Sequence, residues 1–420
     1  MCAIEKGTVM SATARLRAYN VLFFALLAIF ISFLPVYLDA QGLTASRIGV
    51  VVGTGGFVSI FSSPLWGMVS DRSKTIRGVL LVLIACSAVA GYYLYTSDSL
   101  IALIALTMLL YFFLLPMDPL TESLNFQSSQ AAGVSYGSIR TFGAFGYAAM
   151  SLVVGYVMLY FGKNSLGLLF AGFGAAAFLV CLTLRDAPAA GTPVRWRDLG
   201  RFLGHRETLL FLVLIFVAAV PSRMNDTYLG VHLHALGGSS ELVGQAWFLA
   251  AGSEILVFAL SFWWMRSGRE LALIAFASFF YFLRFFLSIW VTDPHAMTYV
   301  QLMQVFTFPI FYSAAIQYLY RIVPDEWKAT GQTVLALVFF GVSGIVASYA
   351  GGWLYDRLAG QGFYVALSVM SLSAFLFSLA LLAAYRRGRG ARRRAVGVTA
   401  EAAFPTRPAA GNARAAASML

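Results

Sequence analysis

Seven ionisable side chains stand inside, or at the edges of, long apolar stretches of this sequence: Asp118, Glu122, Arg140, Arg223, Asp226, Glu254 and Arg284. A charge at the centre of a bilayer-spanning segment costs about 2.5–3.5 kcal/mol to insert, so each is a candidate functional group by default. Four acids and three bases permit near-neutral pairing. Asp118 and Glu122 are four residues apart and share one helical face. Arg140 opens the next apolar segment after a polar hairpin, and Tyr147 lies two turns further along the same face. Arg223 and Asp226, three apart, can pair on one helix. Glu254 and Arg284 each sit in the middle of an apolar run, with no partner close in sequence. A guanidinium can fork onto a hydroxyl or carboxylate, a carboxyl can bind hydroxyls and exchange a proton, and an aromatic ring can stack on a ring. Every group also has a structural alternative. Arg140 can anchor a helix end to lipid phosphate, Glu122 can simply pair with Arg140, Arg284 can balance Glu254 or Asp226, and Tyr147 can pack as ordinary core.

The elements that must hold these groups are read from hydropathy. The 420 residues are 60% hydrophobic and 11% charged, with a mean hydropathy of +0.78. A soluble chain is about 45–50% apolar and about 25% charged, and one core does not grow past about 250–300 residues, so the excess apolar surface calls for a bilayer. Runs of about 20 apolar residues predict spanning helices near 19–39, 46–70, 78–96, 99–122, 137–161, 165–184, 208–235, 241–265, 270–291, 296–321, 329–355 and 361–385. The predicted fold is an all-α membrane protein with 12 transmembrane helices in two pseudo-symmetric six-helix bundles. Its parts are an N-terminal tail 1–18, a first bundle 19–184, a basic linker 185–207, a second bundle 208–385 and a basic tail 386–420 expected to be disordered. The run Tyr19 to Leu38 follows Arg15 and Arg17 without a small-residue cleavage site and reads as an uncleaved first span. In transporters of this plan the solute site lies between the halves, near the midplane.

The net charge of +11 is distributed unevenly. Of 29 Lys and Arg, 23 fall in alternate loops and the two tails, while Arg47, Lys163 and Arg357 are the ones in the opposite loops. Positive residues on one side mark the cytoplasmic face, so both termini are expected there, in a multi-pass protein of the plasma (inner) membrane. This placement favours anionic lipid headgroups as partners of the basic loops and tail and excludes nucleic acid as the reason for the charge. Cys2, Cys86 and Cys181 form neither a disulfide framework nor a CxxC pattern. His232 and His234, two apart, do not share a helical face, so no metal site and no cofactor are expected. There is no HExxH, P-loop or Gly-x-Ser-x-Gly elbow in a plausible setting, so the chain is not expected to be an enzyme or an ATP-driven pump. A monomer is expected.

The loop after the second span reads Pro64-Leu-Trp-Gly67-Met-Val-Ser-Asp71-Arg72-Ser-Lys74-Thr-Ile-Arg77. It resembles the Gly-x-x-x-Asp-Arg/Lys loop of the major facilitator superfamily, with Ser73 where a small Gly is usual. Gly67 permits close helix approach, and Asp71 and Arg72 can bias one conformational state by pairing or by capping a neighbouring helix. Within that superfamily the chain resembles the lactose permease branch of oligosaccharide–proton symporters and the related phenylpropionate-permease-like proteins. The resemblance rests on the 18-residue spacing of Glu122 and Arg140, the segment Tyr136-Gly-Ser-Ile-Arg140-Thr-Phe-Gly-Ala-Phe-Gly-Tyr147, Glu254, Arg284, Asp226 and Gly351-Gly-Trp-Leu-Tyr-Asp-Arg. It implies that Glu122, Arg140, Tyr147 and Arg284 bind solute, and that Glu254 and Asp226 couple solute to protons. Tyr147 takes the place of a tryptophan on which a sugar ring stacks.

The departures matter equally. Gln304 and Thr307 stand where lactose permease carries a His and a Glu needed for proton coupling, and Gly341 replaces a helix 11 lysine that pairs with the helix 7 aspartate. Neither Gln304 nor Thr307 titrates near neutral pH, so lactose itself is not carried over, and Glu254 is left as the protonation site. The resemblance therefore predicts alternating-access uptake of a small organic solute (a sugar, nucleoside or aromatic acid), coupled to protons. Proton-antiport efflux of drugs or metabolites, or a transporter-like membrane sensor, are the alternatives.

Overall fold

The computed structural model describes residues 2–186, 205–265, 268–324 and 327–403. Most of the predicted linker, and 404–420 of the tail, lie outside the described residues. No strand occurs among the described residues. The chain is a series of apolar helices: α1 Ala12–Ala40, α2 Ala45–Ser73, α3 Ile76–Leu94, α4 Leu100–Ala132, α5 Gly137–Phe161, α6 Ser165–Leu182, α7 Arg206–Ala235, α8 Ser240–Ala259, α9 Glu270–Ser288 and α10 Pro294–Ile322. The last apolar stretch, Thr330–Arg387, is 58 residues long, about twice what one tilted crossing needs. It breaks at Ala359, where φ is 55° and ψ −178°, and so counts as two helices, α11 (328–358) and α12 (360–403). The polytopic all-α fold read from hydropathy is thus present, with eleven apolar helical stretches and the eleventh in two parts.

Boundaries differ from hydropathy where polar residues find partners inside the bundle. The fourth helix does not end at 122 but continues to Ala132. Its polar extension is affordable in an apolar bundle because Asn125 and Asn20 of α1 exchange side-chain hydrogen bonds of 2.7 and 2.8 Å, fully buried. Tyr19 and Thr121 meet at 3.1 Å beside them. The eighth helix is shorter than predicted, ending at Ala259. In the tail, helix continues to Ala403 where disorder was expected; Ala and Arg, which dominate this stretch, are strong helix formers.

The two halves meet along α5 with α8 and α2 with α11, and they meet at one end. At Gly49 of α2 a Cβ would lie 2.2 Å from the Ser348 carbonyl oxygen, and at Gly352 of α11 a Cβ would lie 2.4 Å from the Ala45 carbonyl oxygen. Gly244 of α8 stands equally close to the Ser151 carbonyl of α5. Only the absence of a side chain lets these backbones approach. Asp356, at the end of α11, then caps α2: its two carboxylate oxygens accept hydrogen bonds from the amides of Ala45 (3.0 Å) and Ser46 (2.9 Å). These amides have no intrahelical acceptor, and the helix N-terminus favours an anion. His234 of α7 and Asp39 of α1, 3.1 Å apart, and Tyr349 and Thr54, 2.9 Å apart, complete this seal.

The opposite face carries the N-terminus and the α2–α3 loop, away from the Asp356 cap and the Thr54–Tyr349 and Asp39–His234 contacts that join the halves. Nothing lies within 4 Å of where a side chain would begin at Gly67 or Gly137. The close approach expected of Gly67 is not made in this conformation, and Asp71 and Arg72 are exposed, with no ion pair among the described residues. The contacts that join the halves are thus concentrated at one face. Replacing Asp356 with Ala removes a helix cap worth about 1 kcal/mol. The expected outcome is a several-fold shift away from the sealed arrangement, read as a longer-distance population between spin labels at positions 47 and 357.

Candidate functional site

The charged groups singled out in the sequence converge on the cleft between the halves, arranged in three sets. The first belongs to α4 and α5. Arg140 Nε lies 2.6 Å from Glu122 Oε1, and both side chains stay about a third exposed. Tyr136 donates its hydroxyl proton to the other Glu122 oxygen. The Arg140 guanidinium rests 4.2 Å above the Phe24 ring of α1, a cation–π contact that orients the fork. Further along α5, Tyr147 hydrogen-bonds Ser32 at 2.7 Å, which fixes its ring. Ser32 ends a π-helical turn in α1, Ala28–Ser32, the kind of irregularity that often marks functional sites. Tyr147 is within electrostatic reach of Arg223, Asp226 and Glu254 of the other half, so it lies where the halves face one another.

The second set is on α7. Arg223 and Asp226 pair at 2.8 Å across one helical turn. The guanidinium lies 5.3 and 5.2 Å from the Phe339 and Phe340 rings. Those rings belong to a second π-helical turn, Leu337–Val342 of α11, which also contains Gly341. At Gly341, which the resemblance to lactose permease matches to a lysine, this chain has no side chain at all, and Asp226 takes its counter-ion from its own helix.

The third set joins α8, α9 and α10. Gln304 donates from Nε2 to Glu254 Oε1 at 2.8 Å, while its Oε1 accepts from Arg284 and from the Thr307 hydroxyl at 3.1 Å. Arg284 also donates to the Gln301 amide oxygen. Arg284 is only 3% exposed. In this conformation it lies behind Gln304 and reaches Glu254 through that amide. A short 3₁₀ segment, Gln301–Phe306, brings Gln301 and Gln304 onto one side of α10, because residues three apart eclipse in that geometry.

Sequence reasoning named Glu254 and Arg284 but treated Gln304 and Thr307 as losses. Gln304 instead bridges Glu254 and Arg284, and Thr307 donates to the Gln304 amide oxygen. Two glutamines three apart in an apolar helix were the available signal. Tyr136, quoted only as part of a motif, proves to be the second partner of Glu122. No cluster of metal-binding side chains occurs among the described residues.

This geometry, polar groups of both halves facing one cleft, agrees with what the chain is similar to. Residues 13–366 match the model of the MFS_1 like family. The chain belongs to that family. A maltose permease of Geobacillus stearothermophilus is 28% identical over 380 residues, covering 89% of this chain and 94% of the relative. A probable 3-phenylpropionic acid transporter of Escherichia coli (strain K12) is 25% identical over 356 residues, covering 82% and 92%. Among solved structures, the nucleoside transporter NupG superposes with a TM-score of 0.77 at 16% identity, covering 89% of this chain and 99% of that one, which shows the shared fold. This MFS_1 like protein is a secondary transporter of small organic solutes, not an enzyme.

The glutamine bridge makes a sharp prediction for this MFS_1 like chain. Gln304→Leu leaves the half-buried Glu254 carboxylate and part of the buried Arg284 guanidinium without that partner, and an orphaned buried group costs about 1–3 kcal/mol. A clear drop in the thermal unfolding midpoint is expected by fluorimetry in detergent, whereas Gln304→Asn is expected to recover part of it.

Proposed function

We propose that this transporter takes up its solute by alternating access, coupled to protons through Glu254, and that the described arrangement is its inward-open state. The observation that carries the reading is Tyr147, two turns along α5 from the Arg140–Glu122 pair, within electrostatic reach of Glu254 and Asp226 of the other half, together with contacts that join the halves at one face. The excess of Lys and Arg on the opposite face supports a cytoplasmic orientation for it and for both termini, in a chain we assign to the plasma membrane.

The chemistry follows from the groups. Arg140 offers a planar donor fork and Glu122 an acceptor, so together they grip a hydroxyl pair; a solute carboxylate would displace Glu122 from Arg140. Tyr147, its hydroxyl fixed by Ser32, offers a ring face. Arg284 acts through Gln304, holding the amide so that its other end meets Glu254. A sugar, nucleoside or aromatic acid fits this set. Glu254 takes a proton while the cleft faces outward. With that proton in place, the Glu254 carboxyl is neutral as the walls close, and a stranded charge no longer opposes closure. On opening inward, solute leaves and the proton passes to water. Asp226 remains paired with Arg223 and senses the charge on Glu254. Asp71 and Arg72, free in this state, are placed to meet the other half when the inward face closes. The chain works as a monomer, with anionic lipid held at its basic loops.

Two measurements test this. In proteoliposomes screened with sugars, nucleosides and aromatic acids, a transported solute is expected to drive proton uptake, and Glu254→Gln is expected to abolish the proton movement while keeping solute exchange. Solute flux without proton movement in the native protein would overturn the coupling. Arg140→Lys loses a bidentate, charge-assisted contact worth about 1.5–3 kcal/mol, so half-saturation by the same solute is expected to weaken roughly tenfold or more.

A further inference from the structure

We infer that Asp118 is a second proton-carrying carboxyl of the cleft, one that lets the N-terminal half close without a stranded charge. The inference rests on the proton-coupled reading above but concerns a different residue, in the other half, and is tested without any solute.

The charges do not cancel evenly between the halves. In the C-terminal half, Asp226 and Glu254 are matched by Arg223 and Arg284, directly or through Gln304. In the N-terminal half, Asp118 and Glu122 face a single base, Arg140, and Glu122 holds it. Asp118 is the acid left over. Its Oδ1 is occluded and accepts no hydrogen bond among the described residues. A buried polar atom without a partner calls for an explanation.

The groups around Asp118 do not supply one. Tyr19 of α1 faces it, but the Tyr19 hydroxyl is engaged with Thr121 at 3.1 Å. Glu122, one turn along α4, repels it, and Tyr136, ahead of α5, donates to Glu122 instead. Arg140 of α5 attracts it but is paired elsewhere. Tyr312 of α10, in the opposite half, is within electrostatic reach of it. A helix start could hold a carboxylate, and α4 does break at Leu115–Pro116 just before Asp118. Yet Pro116 and Pro119 carry no amide proton, and the Asp118 amide is spent on the Leu115 carbonyl at 3.2 Å.

Asp118 as a residue is only half-buried and its Oδ2 is not occluded, so while the cleft is open water can solvate the ionised carboxylate from that side. When α10 and Tyr312 move against it, that water is withdrawn, and an unpaired carboxylate there costs several kcal/mol. A proton taken from a hydronium ion in the cleft onto a carboxylate oxygen removes the charge and leaves water; reopening returns the proton to water. Glu254 and Asp118 thus serve the two halves separately.

The test uses the full chain in lipid. Infrared difference spectra between acidic and alkaline buffers read the C=O stretch of protonated carboxyls. The expected result is a band missing in Asp118→Asn, a different band missing in Glu254→Gln, and a shifted band in Asp118→Glu. In parallel, the separation of spin labels at positions 47 and 357 reports opening across pH. Each linked proton contributes up to about a tenfold change in population ratio per pH unit, and Asp118→Asn is expected to lose one such proton from the slope. If Asp118→Asn keeps every carboxyl band and the full slope, Asp118 does not exchange a proton and the inference falls. Should Asp118→Asn unfold, an unshifted spectrum in Asp118→Glu overturns it equally. Loss of the Glu254 assignment alone, with the Asp118 band intact, would sink the Glu254 reading and leave this one standing.

Discussion

A charge cannot be left alone in hydrocarbon, and the interior of this transporter is organised around that constraint. Every base in the cleft has a partner that comes from the neighbouring helix or the next turn: Glu122 for Arg140, Asp226 for Arg223, two glutamines for Arg284. The pairs therefore do two jobs. They make the charges tolerable, and they set which helices must touch. Glu122 and Arg140 tie α4 to α5, and the glutamine bridge ties α8, α9 and α10. Each tie lies within one half, so a half can move as a unit without breaking its own pairs.

Much of this was legible from residue types and spacing. Helical crossings are long and strongly apolar, so hydropathy alone found them. Arg223 and Asp226 are three residues apart, and their pairing follows from helix geometry with no tertiary information. The Glu122–Arg140 pair came from a resemblance in spacing, and the structure places the two in contact.

What stayed hidden depended on backbone irregularity or on contacts between the halves. Gln301 and Gln304 face Arg284 together because α10 tightens locally to 3₁₀, and no propensity in Gln-Leu-Met-Gln announces that. The π turns at Ala28–Ser32 and Leu337–Val342 place Ser32 and Phe339 where a regular helix would not. Asp356 was quoted only within a matched segment, and its role as a cap stayed hidden because its partners are two backbone amides more than 300 residues earlier. The polar run after Glu122 reads as a loop until Asn20 is seen to satisfy Asn125.

The glycine crossings at the sealed face have a mechanical meaning. Backbone packed on backbone is held by dispersion forces, which decay steeply with separation; a gap of 0.5–1 Å forfeits about a quarter to a half of the attraction. There are no long side chains at Gly49, Gly352 or Gly244 to stretch and keep contact as the halves part. Considered apart from the Asp356 cap and the His234–Asp39 contact beside them, these crossings behave like a magnetic catch rather than a spring: firm when shut, and nearly without grip once slightly ajar. Half-open arrangements then gain little from them, which is what a carrier needs to avoid becoming a pore.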